Sequence, residues 1–265
     1  LRLAGEFLVL GGLPEVVETW IKHEDLKRCG EVLDMLVAAY RQDFAKYAKR
    51  HQIKYVDLVF SEIPGLTGRK FKYEALPGTW KARELAPALD LLCKASIVHR
   101  ITHSSGNGLP LKAESNPRRF KTLLFDVGLA QRVMGVEVRP WLLNPAAAIR
   151  SAGAVVEAFV GQELVAYGRP WARPELYYWH REARASNAEV DYLLPQGDAI
   201  VPVEVKSGAT GRLRSLRAFL DEKQGRTPFG LRFCGQPVCI LDDLHSYPIY
   251  AVPHVLRREI ARGWF

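Results

Sequence analysis

The chain has 265 residues, 48% of them hydrophobic, and carries a formal net charge of +8. That length exceeds one ordinary domain, so two cores are expected, and the positive excess favours a polyanionic partner. Four scattered cysteines without a Cys-x-x-Cys pair argue against a zinc site, and no apolar run approaches the roughly 20 residues that span a bilayer. A cytoplasmic protein without a membrane partner is expected.

Gly30 to Lys49 is predicted helical, with Val32, Leu33, Leu36, Val37, Tyr40, Phe44 and Tyr47 as its apolar set. Tyr55 to Ile63 reads as a shorter helix stopped by Pro64-Gly65, and Lys81 to Lys94 as a third. A strand over 97–101, a Ser/Gly/Asn-rich loop from His103 to Pro110 and a return strand from Phe120 to Phe125 complete a winged-helix layout. Lys70, Arg118 and Arg119, with Lys121 among further cations, are its candidate phosphate contacts. The same layout also serves only to join domains, its cations merely solvated, and the sequence leaves both readings open. A linker-like stretch, Val136 to Ala152, follows.

Ser151 to Tyr167 has helical spacing on Val156, Phe159, Val160 and Leu164, with Ser151 as a candidate N-cap. Leu176 to Trp179 is an aromatic strand, and Glu189 to Leu194 and Ala199 to Lys206 flank a Pro195-Gln196-Gly197-Asp198 turn, which predicts a hairpin. Gly211 to Glu222 reads as a basic amphipathic helix burying Leu213, Leu216, Phe219 and Leu220 and presenting Arg212, Arg214 and Arg217. Pairing about the turn sets Asp191 roughly opposite Pro202, and the strand period puts Pro202, Glu204 and Lys206 on one face.

Two carboxylates and an ammonium thus converge on the hairpin. Carboxylates held together repel unless a cation offsets them, and Mg²⁺ or Mn²⁺ with oxygen ligands Asp191 and Glu204 suits that need. Lys206 would then position water or offset charge at phosphorus. An ordinary surface hairpin with a solvated Glu204–Lys206 pair satisfies the same residues.

The order helix, strand, strand, strand, helix, strand, with Asp191, Glu204 and Lys206 as an Asp…Glu-x-Lys signature, resembles the PD-(D/E)XK nuclease superfamily. The resemblance implies an α/β fold whose C-terminal part is a restriction-endonuclease-like mixed sheet flanked by helices. It implies metal binding by Asp191 and Glu204 with help from the first-helix acid Glu157, for which Glu163 is the alternative, and a catalytic role for Lys206. It also makes a basic residue after the aromatic strand expected, here Arg181. Val190 stands where proline is common, and Pro202 removes one ladder donor.

A wider resemblance rests on Phe7 to Val17, Phe125 to Ala130, Phe159 to Leu164 and Glu189 to Gly208. These runs look like the uncharacterised C-terminal region of a bacterial and archaeal AAA+ type ATPase family. It implies a remnant of the ATPase lid over 1–29, a helical and winged-helix domain over 30–147 and a nuclease-like domain over 148–265. It also implies an ATPase domain ahead of Leu1 as partner and route to oligomers, since no Gly-x-x-x-x-Gly-Lys-Ser/Thr occurs here and ATP would act only through that domain. A Mg²⁺-dependent nuclease acting on DNA is the leading expectation. Its rival is an inactive module that holds nucleic acid or protein and regulates the ATPase.

Overall fold

A computed structural model describes residues 2–168, 172–181, 187–208 and 213–257. The chain divides into two compact units, one of residues 1–99 and 122–145, the other of residues 100–121 and 146–265. Among the described residues there are eleven α-helices and one mixed sheet of eight strands. No helix among them is long and apolar enough to cross a membrane.

The first unit is helical. It opens with α1 (Arg2–Leu10), α2 (Pro14–His23) and α3 (Leu26–Tyr47). Pro14 starts α2, where its missing N–H costs nothing, and Asp25 caps α3 by accepting from the Lys27 and Arg28 N–H groups at 2.8 and 3.3 Å. Cys29, Val32, Leu33, Val37 and Phe44 form the buried stripe of α3, whereas Tyr47, expected in that stripe, is 74% exposed at the last residue of the helix. α4 (Ile53–Glu62) and α5 (Ala82–Lys94) pack on each other.

Two strands, β1 (Val98–Ser104) and β2 (Ser115–Leu124), leave this unit and return to it, and α6 (Val127–Val133) and α7 (Arg139–Leu143) pack against α1. Here Leu10-Gly11-Gly12 and Asp126-Val127-Gly128 form one clasp. Asp126 is buried and accepts from Leu129 N at 2.8 Å, capping α6, and from Gly12 N at 2.7 Å. Gly11 sits at φ +75°, and a Cβ there would lie 2.1 Å from Asp126 Oδ1. A Cβ on Gly128 would lie 2.4 Å from the Leu10 carbonyl. Only glycine fits at either position.

The second unit follows with α8 (Pro145–Ser151), α9 (Gly153–Ala166), β3 (Leu176–His180), β4 (Glu189–Gln196), β5 (Ala199–Lys206), α10 (Arg214–Glu222), β6 (Gly230–Cys234), β7 (Cys239–Leu241), β8 (Leu244–Pro248) and α11 (Val252–Val255). Pro145 itself groups with the first unit. The strand order is β2-β1-β3-β4-β5-β6-β8-β7. β1 runs parallel to β3, the β3–β4 and β4–β5 pairs are antiparallel, and β5, β6 and β8 run parallel. A parallel β5–β6 pair needs a crossover, which α10 provides while packing on β4 and β5. α9 packs on β3 and β5. Ser151 does not cap it: Ala152 holds that place, and the Ser151 hydroxyl donates to the Ala148 carbonyl at 2.9 Å.

The wing expected over 97–125 is thus no free two-stranded flap. Ile101, Thr102 and His103 pair with Leu176, Tyr177 and Tyr178, so residues 100–121 of the hairpin join the C-terminal sheet and not the helices before them. An apolar core of Tyr177, Trp179, Val190, Leu193, Ile200 and Phe219 lies beside α10, with the Trp179 and Phe219 rings edge to face at 5.1 Å. Of the helical face read from sequence, Leu216 and Phe219 are buried and Leu213 and Leu220 are half-buried.

Candidate functional site

The β4–β5 hairpin forms where the β-branched and aromatic residues place it, but its turn is tighter than expected. Gln196 pairs with Ala199 around Gly197-Asp198, Gly197 taking φ +59°, and Leu193 pairs with Pro202. Asp191 is therefore not opposite Pro202; the register, continued, carries it to Glu204. The shift is two residues, an even number, so the face assignment of Pro202, Glu204 and Lys206 survives. Lys206 Nζ lies 2.5 Å from Glu204 Oε1, as residues two apart on a strand permit.

A β-bulge sets the direction of Asp191. Tyr177 pairs with Leu193 and Trp179 with Val190, so Asp191 and Tyr192 together oppose Tyr178 alone. The extra residue lets Val190 and Leu193, three apart, both enter the core beside α10. It also lets consecutive side chains point the other way: the Tyr192 hydroxyl donates to the Glu157 carbonyl of α9 at 2.8 Å, and Asp191 Oδ1 comes within 3.8 Å of Lys121 Nζ. The Val205 N–H donates to Asp191 Oδ2 at 2.8 Å.

Lys121 is the residue that sequence reasoning misplaced. Read as a phosphate contact on a wing, it is 1% exposed and sits among acids, 2.7 Å from Glu189 Oε1 and 3.0 Å from Glu157 Oε1, its ammonium 5.4 Å from the centre of the Tyr178 ring. Its place in the apolar run Phe120-Lys121-Thr122-Leu123-Leu124 was the available signal, because a lysine inside such a strand is buried and must be paired. Glu189, two residues before Asp191, was also missed.

Four carboxyls (Glu157, Glu189, Asp191, Glu204) therefore meet two ammoniums in the second unit. Burial, then the charges of Glu157 and Glu204, push Asp191 well above the ordinary carboxylate range against the pull of Lys121. Burial also raises Glu204, opposed by Lys206. Desolvation would lower Lys121, but Glu157, Asp191 and Glu189 outweigh it and hold the ammonium charged. Glu204 is 3% exposed and its Oε2 has no hydrogen-bond partner.

The donors are all hard oxygens, which suits Mg²⁺ or Mn²⁺, and an orphaned buried carboxylate oxygen is what a cation would satisfy. Asp191, Glu204 and Glu157 are the residues that would hold it. Among the described residues, however, no three acids, histidines or cysteines close to ligating distance around one point. The Lys121 ammonium stands between Glu157 and Asp191.

The other candidates lie elsewhere. Glu163, the alternative helix acid, is buried on α9 and pushed up to about 7 by burial alone; Glu157 is the helix acid that meets Asp191. Arg181 turns to α10, with Nε 3.1 Å from Glu222 and a longer contact to the Ala218 carbonyl. Arg214 is exposed on α10, Arg118 and Arg119 are exposed on β2, and Lys70 is exposed in the first unit. Arg212 lies outside the described residues. His103, read from sequence as the start of a loop, lies in β1 and is buried edge-on to Tyr178 at 5.5 Å.

Glu163 gives a separable test of the buried acids. With its folded value above its ordinary 4.5, the carboxyl costs nothing below pH 4.5, and stability falls as pH rises toward 7. The displacement corresponds to about 3 kcal/mol, nearer about 2 after allowing for residual solvent. Glu163→Gln is expected to flatten the fall between pH 4.5 and 7, leaving the part due to the other raised carboxyls, and to stabilise the chain above pH 7 in urea denaturation. An unchanged slope would show that Glu163 is not its source.

The family described as "Domain of unknown function (DUF8612)" matches residues 2–139. Residues 152–250 match "Domain of unknown function (DUF4143)", a domain found in C-terminal regions associated with AAA-like ATPases. No curated protein and no solved structure matches the chain.

Proposed function

The chain belongs to the DUF8612 family through residues 2–139, and for the second unit, where the DUF4143 match lies, we propose a divalent-metal-dependent phosphodiesterase acting on nucleic acid, most readily DNA, beside an attached AAA+ ATPase. The observation that carries this reading is the buried group Glu157, Asp191 and Glu204, with Asp191 and Glu204 raised by burial and Glu204 Oε2 unpartnered. Acids perturbed by burial and by one another are what a catalytic site requires, which makes this group the functional candidate of the second unit. The PD-(D/E)XK resemblance supplies the same assignment.

Asp191, Glu204 and Glu157 would hold Mg²⁺ or Mn²⁺, which when bound supplies Lewis acidity at phosphorus and a water of lowered pKa. Asp191 is oriented by the Val205 N–H, and Glu204 by Lys206. The Lys206 side chain is 30% exposed, the more open of the two lysines, so its ammonium can reach a scissile phosphate and offset charge developing there. Arg118, Arg119 and Arg214, all exposed in the same unit, would track the phosphate backbone without reading sequence.

One observation favours a second reading. Lys121 already compensates three of the acids, so the cluster can persist as a buried ion network in a module that only binds nucleic acid or protein and regulates the ATPase. Incubation of the chain with single-stranded, duplex and branched DNA and with RNA, in Mg²⁺ or Mn²⁺, separates them. Cleavage that falls at least a hundredfold in both Asp191→Ala and Lys206→Ala supports the phosphodiesterase. No cleavage by the parent, with binding equal in all three proteins, supports the module.

A further inference from the structure

The acids that would hold a metal are contested by a cation the chain carries itself. Lys121 Nζ ranks its partners: Glu189 at 2.7 Å, Glu157 at 3.0 Å and Asp191 at 3.8 Å. On Asp191, Oδ2 is engaged by the Val205 N–H, which leaves Oδ1 facing Lys121. Glu204 Oε2 is the one oxygen of the set that is buried with no partner. A divalent ion seated on Glu204 Oε2 would therefore draw its remaining carboxylate oxygens from the two that Lys121 touches.

We propose that Lys121 is a positioning residue that competes with the divalent cation for Glu157 and Asp191, with Glu189 as its anchor. The proposal rests on the metal-dependent reading above. Physical chemistry supplies both halves of it. An ammonium that is 1% exposed has no water to fall back on, so it needs an acid whenever Glu157 and Asp191 turn to a metal. Glu189, its closest partner and partly exposed at the strand end, meets that need without belonging to the ligand set. While it stays there, the ammonium keeps Glu157 and Asp191 side by side and lowers their affinity for a second cation by like-charge repulsion.

The competition predicts metal affinities that move in opposite directions. Lys121→Met removes the competing charge at similar length, and Glu189→Gln removes the anchor, so that the ammonium leans more fully on Glu157 and Asp191. Mn²⁺ uptake by the full chain without nucleic acid, measured calorimetrically, is expected to be at least tenfold tighter in Lys121→Met and severalfold weaker in Glu189→Gln than in the parent. The Mn²⁺-dependent rise in unfolding temperature gives the same ranking even when Lys121→Met is the less stable protein. A residue that merely props the site would weaken binding in both variants. Uptake by the parent with Lys121→Met equal or weaker overturns the competition alone. Lack of uptake by parent and Lys121→Met alike overturns both the competition and the metal reading.

Discussion

Asp126→Ala is expected to destabilise the first unit by about 3 to 4 kcal/mol. The carboxylate accepts from Leu129 N at 2.8 Å and from Gly12 N at 2.7 Å, the Gly128 N–H also bears on it, and the residue is 1% exposed. Charge-assisted bonds of this kind are worth about 1.5–3 kcal/mol each, and truncation leaves buried N–H groups behind. Against this, burial raises the Asp126 carboxyl, so its removal recovers part of a desolvation cost and the sum stays below the simple total. Asp126→Asn keeps one acceptor and turns an amide donor toward the other N–H, which places it between parent and alanine. Gly128→Ala tests the same clasp from the opposite side: its Cβ would meet Leu10 backbone atoms at 2.4 Å, which no rotamer relieves, for a cost of at least about 3 kcal/mol. Urea denaturation measures all three. A loss under 1 kcal/mol in Asp126→Ala would show that the clasp is incidental to stability.

That clasp also shows what kind of information the sequence carried. Phe7 to Val17 and Phe125 to Ala130 stood out only as marks of a resemblance, more than a hundred residues apart. In the structure they are one contact, in which glycine is required because backbone meets backbone and carboxylate. The bodies of α3, α4 and α5 were readable for a local reason, since apolar spacing acts within a turn or two, whereas α1, α2 and the Asp25 cap that starts α3 four residues before Gly30 were missed.

The hairpin of the second unit was readable too, and its assignment of Pro202, Glu204 and Lys206 to one face survived an error in register because the slip was even. The bulge was not readable from local pattern. Strict alternation sends Val190 and Leu193 to opposite faces, and only the partner strand, through Trp179 and Tyr177, demands them on the same one. Lys121 was missed for a longer-range version of that reason. The parallel β1–β3 pairing joins Ile101 to Leu176 across 75 residues, with no turn chemistry to announce it.

Lys121→Met is expected to destabilise the second unit by about 3 to 5 kcal/mol at pH 8, the cost of leaving buried carboxylates without their cation. The pH dependence separates charge from packing. In the parent, the Lys121 ammonium is held above its ordinary value, so its contribution is complete below about pH 10 and is lost only as pH rises beyond that. In the variant Asp191 and Glu204 lose the ammonium that pulled both downward, so their folded values climb further above the unfolded ones. Raised carboxyls cost nothing while protonated in both states, and they destabilise as pH rises through the folded value. The variant's deficit is therefore expected to be small near pH 4 and to grow toward pH 8, read as urea midpoints together with amide exchange in the β4 and β5 peptides. A deficit of constant size from pH 4 to 8 would assign Lys121 to packing along its methylene stem and leave the carboxyls to be compensated by some other group.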